Sequence, residues 1–190
     1  MTEERAAVLA AVAARIDALA TDGSARVAVD GVTAAGKSTF ADELVEYVRR
    51  PVVRASVDDF HRPSGERYAR GHGPESYYHD AFDFGSLRSL LLGPLAPTDA
   101  ALVVDGVFLL RPELAGLWDL SVFLAVDRTI ALERAIARDA ARLGGEGPAR
   151  LRYASRYVPG ETLYLETATP ESRADVVIEN TDPDRPRLLT

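Results

Sequence analysis

Val8, Val12, Ile16 and Leu19 fall on one face of a helix, because their spacing follows the helical repeat. This predicts an amphipathic helix over residues 2–20, within an N-terminal segment 1–22, lying against a sheet. After Gly23 the pattern changes to short apolar runs separated by helical stretches. The runs predict strands over Arg26–Asp30, Pro51–Val57, Ala101–Asp105, Leu120–Val126 and Asp175–Ile178. Between them the periodicity predicts helices over 37–49, 83–92, 128–143 and 150–168, the last interrupted at Pro159. Strands that are apolar on both faces and alternate with helices imply a parallel sheet covered on both sides. The expected class is therefore α/β, with a five-stranded parallel sheet flanked by helices. No internal repeat is present. Residues 58–76, rich in Arg, Gly, His and Pro, and 144–149, with three glycines and a proline, read as mobile loops over a site.

The longest early apolar stretch, Ala6–Ala14, is shorter than the roughly 18 residues a membrane span needs. Glu3 and Glu4 make the leading segment acidic where a secretion signal is basic. With 190 residues, 47% hydrophobic and 27% charged, the composition fits one compact domain over 1–190. A net charge of −7 and a pI near 5.0 argue against nucleic-acid or membrane-surface partners, since both need a basic face. Absence of cysteine excludes disulfides, thiol catalysis and Cys-ligated metals, and fits a cytoplasmic protein. Only one of the 22 basic Lys and Arg residues is lysine, Lys37. In so arginine-biased a chain, that residue marks a site where a compact ammonium is required and a planar guanidinium does not serve.

Lys37 lies in Gly31-Val32-Thr33-Ala34-Ala35-Gly36-Lys37-Ser38, which fits G-x4-G-K-[ST] between a predicted strand and a predicted helix. In such a P-loop the glycines let backbone amides turn inward around phosphates, and the helix N-terminus adds positive potential. Gly31, Thr33, Ala34, Ala35, Gly36, Lys37, Ser38 and Thr39 are thus candidate nucleotide-binding residues, with Lys37 reaching the outer phosphates. Ser38 is a candidate Mg²⁺ ligand. Asp105 ends the apolar strand Leu102-Val103-Val104 in the Walker B manner and is the second candidate for Mg²⁺.

Asp58 and Asp59 end the second strand, where a kinase holds the hydroxyl it phosphorylates; spacing alone leaves open which of them serves catalysis and which caps a turn. His61, His72 and His79 lack cysteine partners and helical i, i+4 spacing, so polar loop or substrate-contact roles are favoured over structural zinc. Arg134, Arg138 and Arg142 line one face of a helix and repel one another unless an anion offsets them. Together with Arg150, Arg152 and Arg156 beyond Gly144-Gly145, they predict a lid over 138–160 that closes on a triphosphate.

In this order, the P-loop, the Asp-x-Phe run, the Asp-Gly and the arginine helix resemble the uridine kinase, phosphoribulokinase and pantothenate kinase group of P-loop kinases. The likeness runs from about Arg26 to Asn180 and is greatest to uridine kinase-like proteins. It implies a P-loop NTPase three-layer sandwich with an arginine-rich lid, ATP and Mg²⁺ as cofactors, and an acceptor-side loop over 58–82. Val57-Asp58-Asp59-Phe60-His61 is similar to the family's Asp-x-Phe-Tyr or Asp-x-Phe-His segment, which makes Asp58 the base. Arg138 and Arg142 become the lid residues that neutralise charge, catalytic alongside Lys37 and Asp58. Asp58, His61, Arg62, Tyr77, Tyr78 and His79 are the acceptor-side candidates.

The resemblance names a nucleoside such as uridine or cytidine as acceptor, with pantothenate, ribulose phosphate or another sugar-like compound as alternatives. Tyr77 stands where uridine kinases have an aspartate for the ribose hydroxyls. The hairpin that usually precedes the Asp-Gly strand is missing, since Leu95-Ala96-Pro97 runs straight to Thr98-Asp99. The sequence argues against a GTP switch, because an Asn-Lys-x-Asp motif cannot be written with one lysine and one asparagine, Asn180. A nucleotide-binding regulatory module without phosphotransfer is the remaining competitor. Oligomeric state stays open, with a homo-oligomer compatible.

Overall fold

The computed structural model describes residues 1–19 and 23–190. Helix α1 (Glu3–Asp17) begins at Thr2, whose hydroxyl accepts the Arg5 N–H, and buries Val8, Leu9, Val12 and Ile16. It stops three residues before the expected end at Ala20, and the rest of the predicted segment, 20–22, lies outside the described residues. The strands are β1 (Ala25–Asp30), β2 (Val52–Ser56), β3 (Ala101–Gly106), β4 (Leu120–Ala125), β5 (Val176–Glu179) and β6 (Arg187–Leu188). They form one six-stranded sheet in the order β2-β3-β1-β4-β5-β6, in which only β6 runs antiparallel. The sequence pattern predicts the parallel five. It misses β6, an exposed two-residue edge with no apolar run, held by its pairing to β5 and by Leu189 N–H on the Val177 carbonyl at 2.8 Å.

Side-chain alternation along the strands builds two cores. Val27, Val29, Val103 and Val122 face α1 and α2 (Lys37–Leu44), where Phe40 and Leu44 pack. Ala28, Leu102, Val104 and Phe123 face the opposite layer, with Leu87 and Leu91 of α5 (Phe84–Leu92). This is the α/β/α three-layer arrangement expected of strands apolar on both faces. Truncating a fully buried residue such as Leu44 to alanine costs about 2–5 kcal/mol.

The stretch read as irregular, 58–76, contains a 3-10 turn at Val57–Phe60, the short α3 (Ser64–Arg67) and the start of α4 (Pro74–Asp80). Pro74 sits in the first turn of α4, where a missing N–H costs nothing. Between Pro97 and Ala100 a turn closed by a 3.1 Å backbone hydrogen bond joins α5 directly to β3.

Helix α6 (Arg128–Leu143) has the predicted bounds and ends at Gly144, whose φ of 87° needs the missing side chain. The next helix, α7 (Glu146–Arg152), takes in residues expected to be loop. The predicted break at Pro159 takes the form of a π turn at Tyr153–Tyr157. There the Val158 N–H reaches back to the Tyr153 carbonyl, and this widening lets the chain run on into α8 (Val158–Ala168) with Pro159 in its first turn. The short α9 (Pro170–Arg173) leads into β5. Among the described residues no helix is long and apolar enough to cross a membrane.

Candidate functional site

Strand β1 runs into Asp30, the P-loop spans Gly31–Gly36, and α2 starts at Lys37, which places the loop at the carboxyl edge of the sheet. Two glycines are dictated by space and angle. A Cβ on Gly31 would lie 2.8 Å from the Leu124 carbonyl oxygen, and Gly36 has φ 89°. Ala34, at φ 59°, takes a left-handed conformation without being glycine. The loop is held from both sides: Asn180 Nδ2 donates to the Ala35 carbonyl at 2.7 Å, and the Thr33 N–H donates to Glu161 Oε1 at 2.8 Å. Lys37 is 9% exposed and its Nζ donates to the Val32 carbonyl at 2.8 Å, curling over the loop. Burial pushes the Lys37 ammonium pKa down, while Glu161, Asp30, Asp105 and Asp58 favour its charge.

Asp105 closes β3 beside the loop. Its Oδ2 accepts the Ser38 hydroxyl at 2.6 Å, and its Oδ1 meets Arg54 Nη2 at 2.9 Å. A hydroxyl and a carboxylate side by side form the hard-oxygen pair that Mg²⁺ uses with nucleotide phosphates and water, so these residues fit that ion. Among the described residues no cluster of three His, Cys, Asp or Glu could hold a metal by itself.

The two aspartates after β2 separate cleanly. Asp59 Oδ2 accepts the Ser56 N–H at 3.1 Å and closes a capping box on the 3-10 turn. Asp58 points into the cleft, with its side chain 73% exposed and His61 Nδ1 3.8 Å from Oδ1. Lys37, Ser38, Asp105, Asp58, His61, Tyr77, Arg138 and Arg142 all line one cleft of about 450 Å³.

Other candidates lie outside it. Arg62 turns to the Phe82 carbonyl and Glu66, Tyr78 stacks under Arg111, and His79 pairs with Glu75. Thr39 is exposed in the first turn of α2 and does not line the cleft. Tyr77 is 7% exposed, with its ring edge-on to Phe108 and Tyr157, and burial pushes its phenol well above the usual range.

On α6, Arg138 Nε and Arg142 Nη2 each lie 3.0 Å from a carboxylate oxygen of Asp139, which also accepts the Tyr153 hydroxyl at 2.6 Å. Burial alone would raise the Asp139 carboxyl. Hydrogen bonds from Arg138 and Tyr153 and the nearby Arg142 charge outweigh it and hold the pKa at about 2. Arg134 donates instead to the Thr181 carbonyl, and Arg150 pairs with Glu133. Arg152 and Arg156 gather around Tyr68, which lines the same cleft. Sequence reasoning missed Glu161, Asp139, Arg54, Arg67 and Tyr68. Only Asp139, flanked by Arg138 and Arg142, carried a local signal.

No protein-family model matches the chain. A curated relative, uridine kinase-like protein 4 of Arabidopsis thaliana, is 26% identical over 179 residues, which cover 80% of the chain. The chain spans 38% of that relative's length. A solved structure named as a fructose transport system kinase from Silicibacter sp. TM1040 superposes with a TM-score of 0.75 at 20% identity, covering 89% of this chain and 98% of that one. A uridine kinase candidate from Bacillus stearothermophilus superposes at 0.70 and 24% identity, covering 89% and 96%. The chain has the P-loop kinase fold and resembles the uridine kinase group. Within that fold, α6, α7 and the π turn pack around a small core of Ala135, Ile136, Ala149 and Tyr153. The extra antiparallel β6 adds to the parallel five without altering the cleft edge.

Proposed function

We propose that the protein is an ATP- and Mg²⁺-dependent kinase that transfers a γ-phosphoryl group to a hydroxyl of a small metabolite. The observation that carries this reading is the shared cleft, lined both by Lys37 and the P-loop and by Asp58, whose carboxylate is not engaged as a cap. A pure binding module has no need of such a free carboxylate beside the P-loop. In the reaction the acceptor oxygen attacks the γ-phosphorus, and the bond to the β–γ bridging oxygen breaks with its electron pair leaving on ADP. Asp58 accepts the hydroxyl proton.

Ser38 and Asp105 would hold Mg²⁺, which would supply positive charge to offset that of the nucleotide phosphates. Lys37 steadies the outer phosphates. Arg138 and Arg142 exchange their grip on Asp139 for the transferring group as the lid closes.

The names of the relatives support a small hydroxyl compound as acceptor, and a nucleoside such as uridine or cytidine is the first to test. Pantothenate and sugar phosphates follow. The test is acceptor-dependent ADP release by the wild type and by Asp58→Asn. Stabilisation by ATP with no acceptor-dependent release would favour the regulatory module, and near-normal turnover by Asp58→Asn would remove the base assignment.

A further inference from the structure

Most buried or cleft-facing arginines of this acidic chain meet a carboxylate: Arg5 meets Glu43, Arg54 meets Asp105, Arg111 meets Glu113, and Arg138 meets Asp139. Three that surround Tyr68 do not. The guanidinium carbons of Arg67, Arg152 and Arg156 lie 5.6, 5.5 and 4.8 Å from the centre of the Tyr68 ring. Their polar contacts are neutral. Arg152 Nη2 donates to the Tyr68 hydroxyl at 3.0 Å, and Arg156, 2% exposed, donates to the Gly73 carbonyl and the Ser76 hydroxyl. Arg67 Nε is buried without a hydrogen-bond partner. Among the described residues no acid lies within ion-pair distance of any of the three.

Gathering three like charges in a partly desolvated place is unfavourable unless an anion offsets them. Burial, followed by the neighbouring charge of Arg152, pushes the Arg156 pKa down, so the repulsion falls on this cluster. The cluster also has an opening. Arg67 and Tyr68 line the same cleft as Asp58, while Arg152 and Arg156 stand behind them and add to the positive field.

The acid inventory of that cleft argues the same way. Asp105 is engaged by Ser38 and Arg54, and Asp139 by Arg138, Arg142 and Tyr153. Asp59 is turned away as a cap. Asp58 is therefore the one acid lining the acceptor end, among the described residues, and it is needed for the reacting hydroxyl. A neutral sugar with a free diol would find no second carboxylate to accept its hydrogen bonds. An oxyanion would find the Arg67 guanidinium, which lines the cleft and has no carboxylate partner.

We infer that the acceptor carries its own negative charge, a phosphate ester or a carboxylate, which Arg67 contacts directly while the acceptor hydroxyl lies on Asp58. This rests on the kinase reading above and names the substrate class of the same site. Arg67 is then a specificity residue, and Arg152 and Arg156 are positioning residues that act through Tyr68.

The test uses acceptor pairs that differ in charge: ribose 5-phosphate against ribose, and pantothenate against its alcohol panthenol, with uridine as a further neutral acceptor. The pairs also separate a phosphate from a carboxylate. Binding is read on protein loaded with a nonhydrolysable ATP analogue, and turnover is read by ADP release. The charged member of at least one pair should bind and turn over better by about ten- to a hundredfold in kcat/KM, as expected for a charge-assisted hydrogen bond. Arg67→Ala should erase that preference through KM, with ATP-analogue affinity unchanged, and Arg67→Lys should restore part of it. Thermal midpoints of both variants control for folding; Arg152→Ala should weaken the preference less.

Turnover of neutral acceptors at equal or higher kcat/KM would overturn the inference and leave the kinase standing. A preference that survives Arg67→Ala would also overturn it. If no charged member binds the loaded protein the inference falls, and if no acceptor of either kind raises ADP release the kinase reading falls with it.

Discussion

Glu161 Oε1 accepts the Thr33 backbone N–H at 2.8 Å, so a carboxylate from α8 rests on the loop whose amides are set to meet phosphate. Burial pushes the Glu161 pKa up, and Lys37 is among the groups that draw it back. The contact has two opposed effects on a nucleotide: it fixes the loop, and it brings negative charge close to incoming phosphates. Two substitutions separate them. Glu161→Gln keeps an acceptor for Thr33 and removes the charge, so ATP affinity should rise by about tenfold at pH 8. Glu161→Ala removes the acceptor as well and should weaken binding. Fluorescence titration with an ATP analogue decides it, and equal weakening by both would show that the charge itself favours the nucleotide.

Asp58 and Asp59, adjacent in sequence, should fail in different assays. Asp59→Ala opens the capping box on Ser56 and should cost about 1 kcal/mol of stability with turnover largely kept. Asp58→Asn touches no cap and should leave the urea midpoint unchanged while lowering kcat by roughly a hundredfold or more. The opposite pattern would exchange the two roles.

That division shows where sequence reading stops. Strand runs such as Leu102-Val103-Val104 are legible because a strand buried on both faces must be apolar throughout. The P-loop is legible because its chemistry is local: Gly31, Gly36, Lys37 and Ser38 sit within eight positions of one another. Asp58 and Asp59 share one local pattern, and only the direction of the chain after Ser56 separates them. Glu161 meets Thr33 across 128 positions, and Arg152 meets Tyr68 across 84. No periodicity encodes such meetings; they follow from how α8 and the π turn pack on the cleft. Arg62 lies outside the cleft for the same reason, since being near Asp58 in sequence does not bring a side chain to its face of the loop, and His79 pairs with Glu75 on its own helix.

The Ser38–Asp105 pair leads to a metal prediction. Asp105 Oδ2 lies 2.6 Å from the Ser38 hydroxyl, and Arg54 holds the other carboxylate oxygen. Asp105→Asn removes the charge a hard cation needs, so the Mg²⁺ concentration for half-maximal ADP release should rise by about ten- to a hundredfold. Ser38→Ala should shift it less. Arg54→Ala frees the carboxylate of a competing cation and should leave the Mg²⁺ requirement equal or lower. A Mg²⁺ response unchanged by Asp105→Asn would remove this residue from the metal site.

Asp30, at the root of the P-loop, gives stability a pH dependence. It is fully buried, and its carboxylate accepts hydrogen bonds from the Gly31 N–H at 2.6 Å, from the Leu110 N–H at 2.9 Å and from the Tyr164 hydroxyl. Burial raises its pKa from 3.8 to about 6 despite those bonds and the Lys37 charge. An acid with a raised folded pKa contributes its full stability below the unfolded value and loses it as pH rises through the folded one. Between about pH 3.8 and 6 the fold therefore loses on the order of 3 kcal/mol at this residue. The Tyr164 bond favours the charged form, so Tyr164→Phe should raise the Asp30 pKa further. Its penalty, about 1–3 kcal/mol, should then be smaller at pH 4.5 than at pH 8, because the lost bond matters most once Asp30 is ionised. Urea unfolding of both proteins across that range measures the difference directly, and a penalty that is flat or shrinks toward pH 8 would mean that Tyr164 does not stabilise the Asp30 carboxylate.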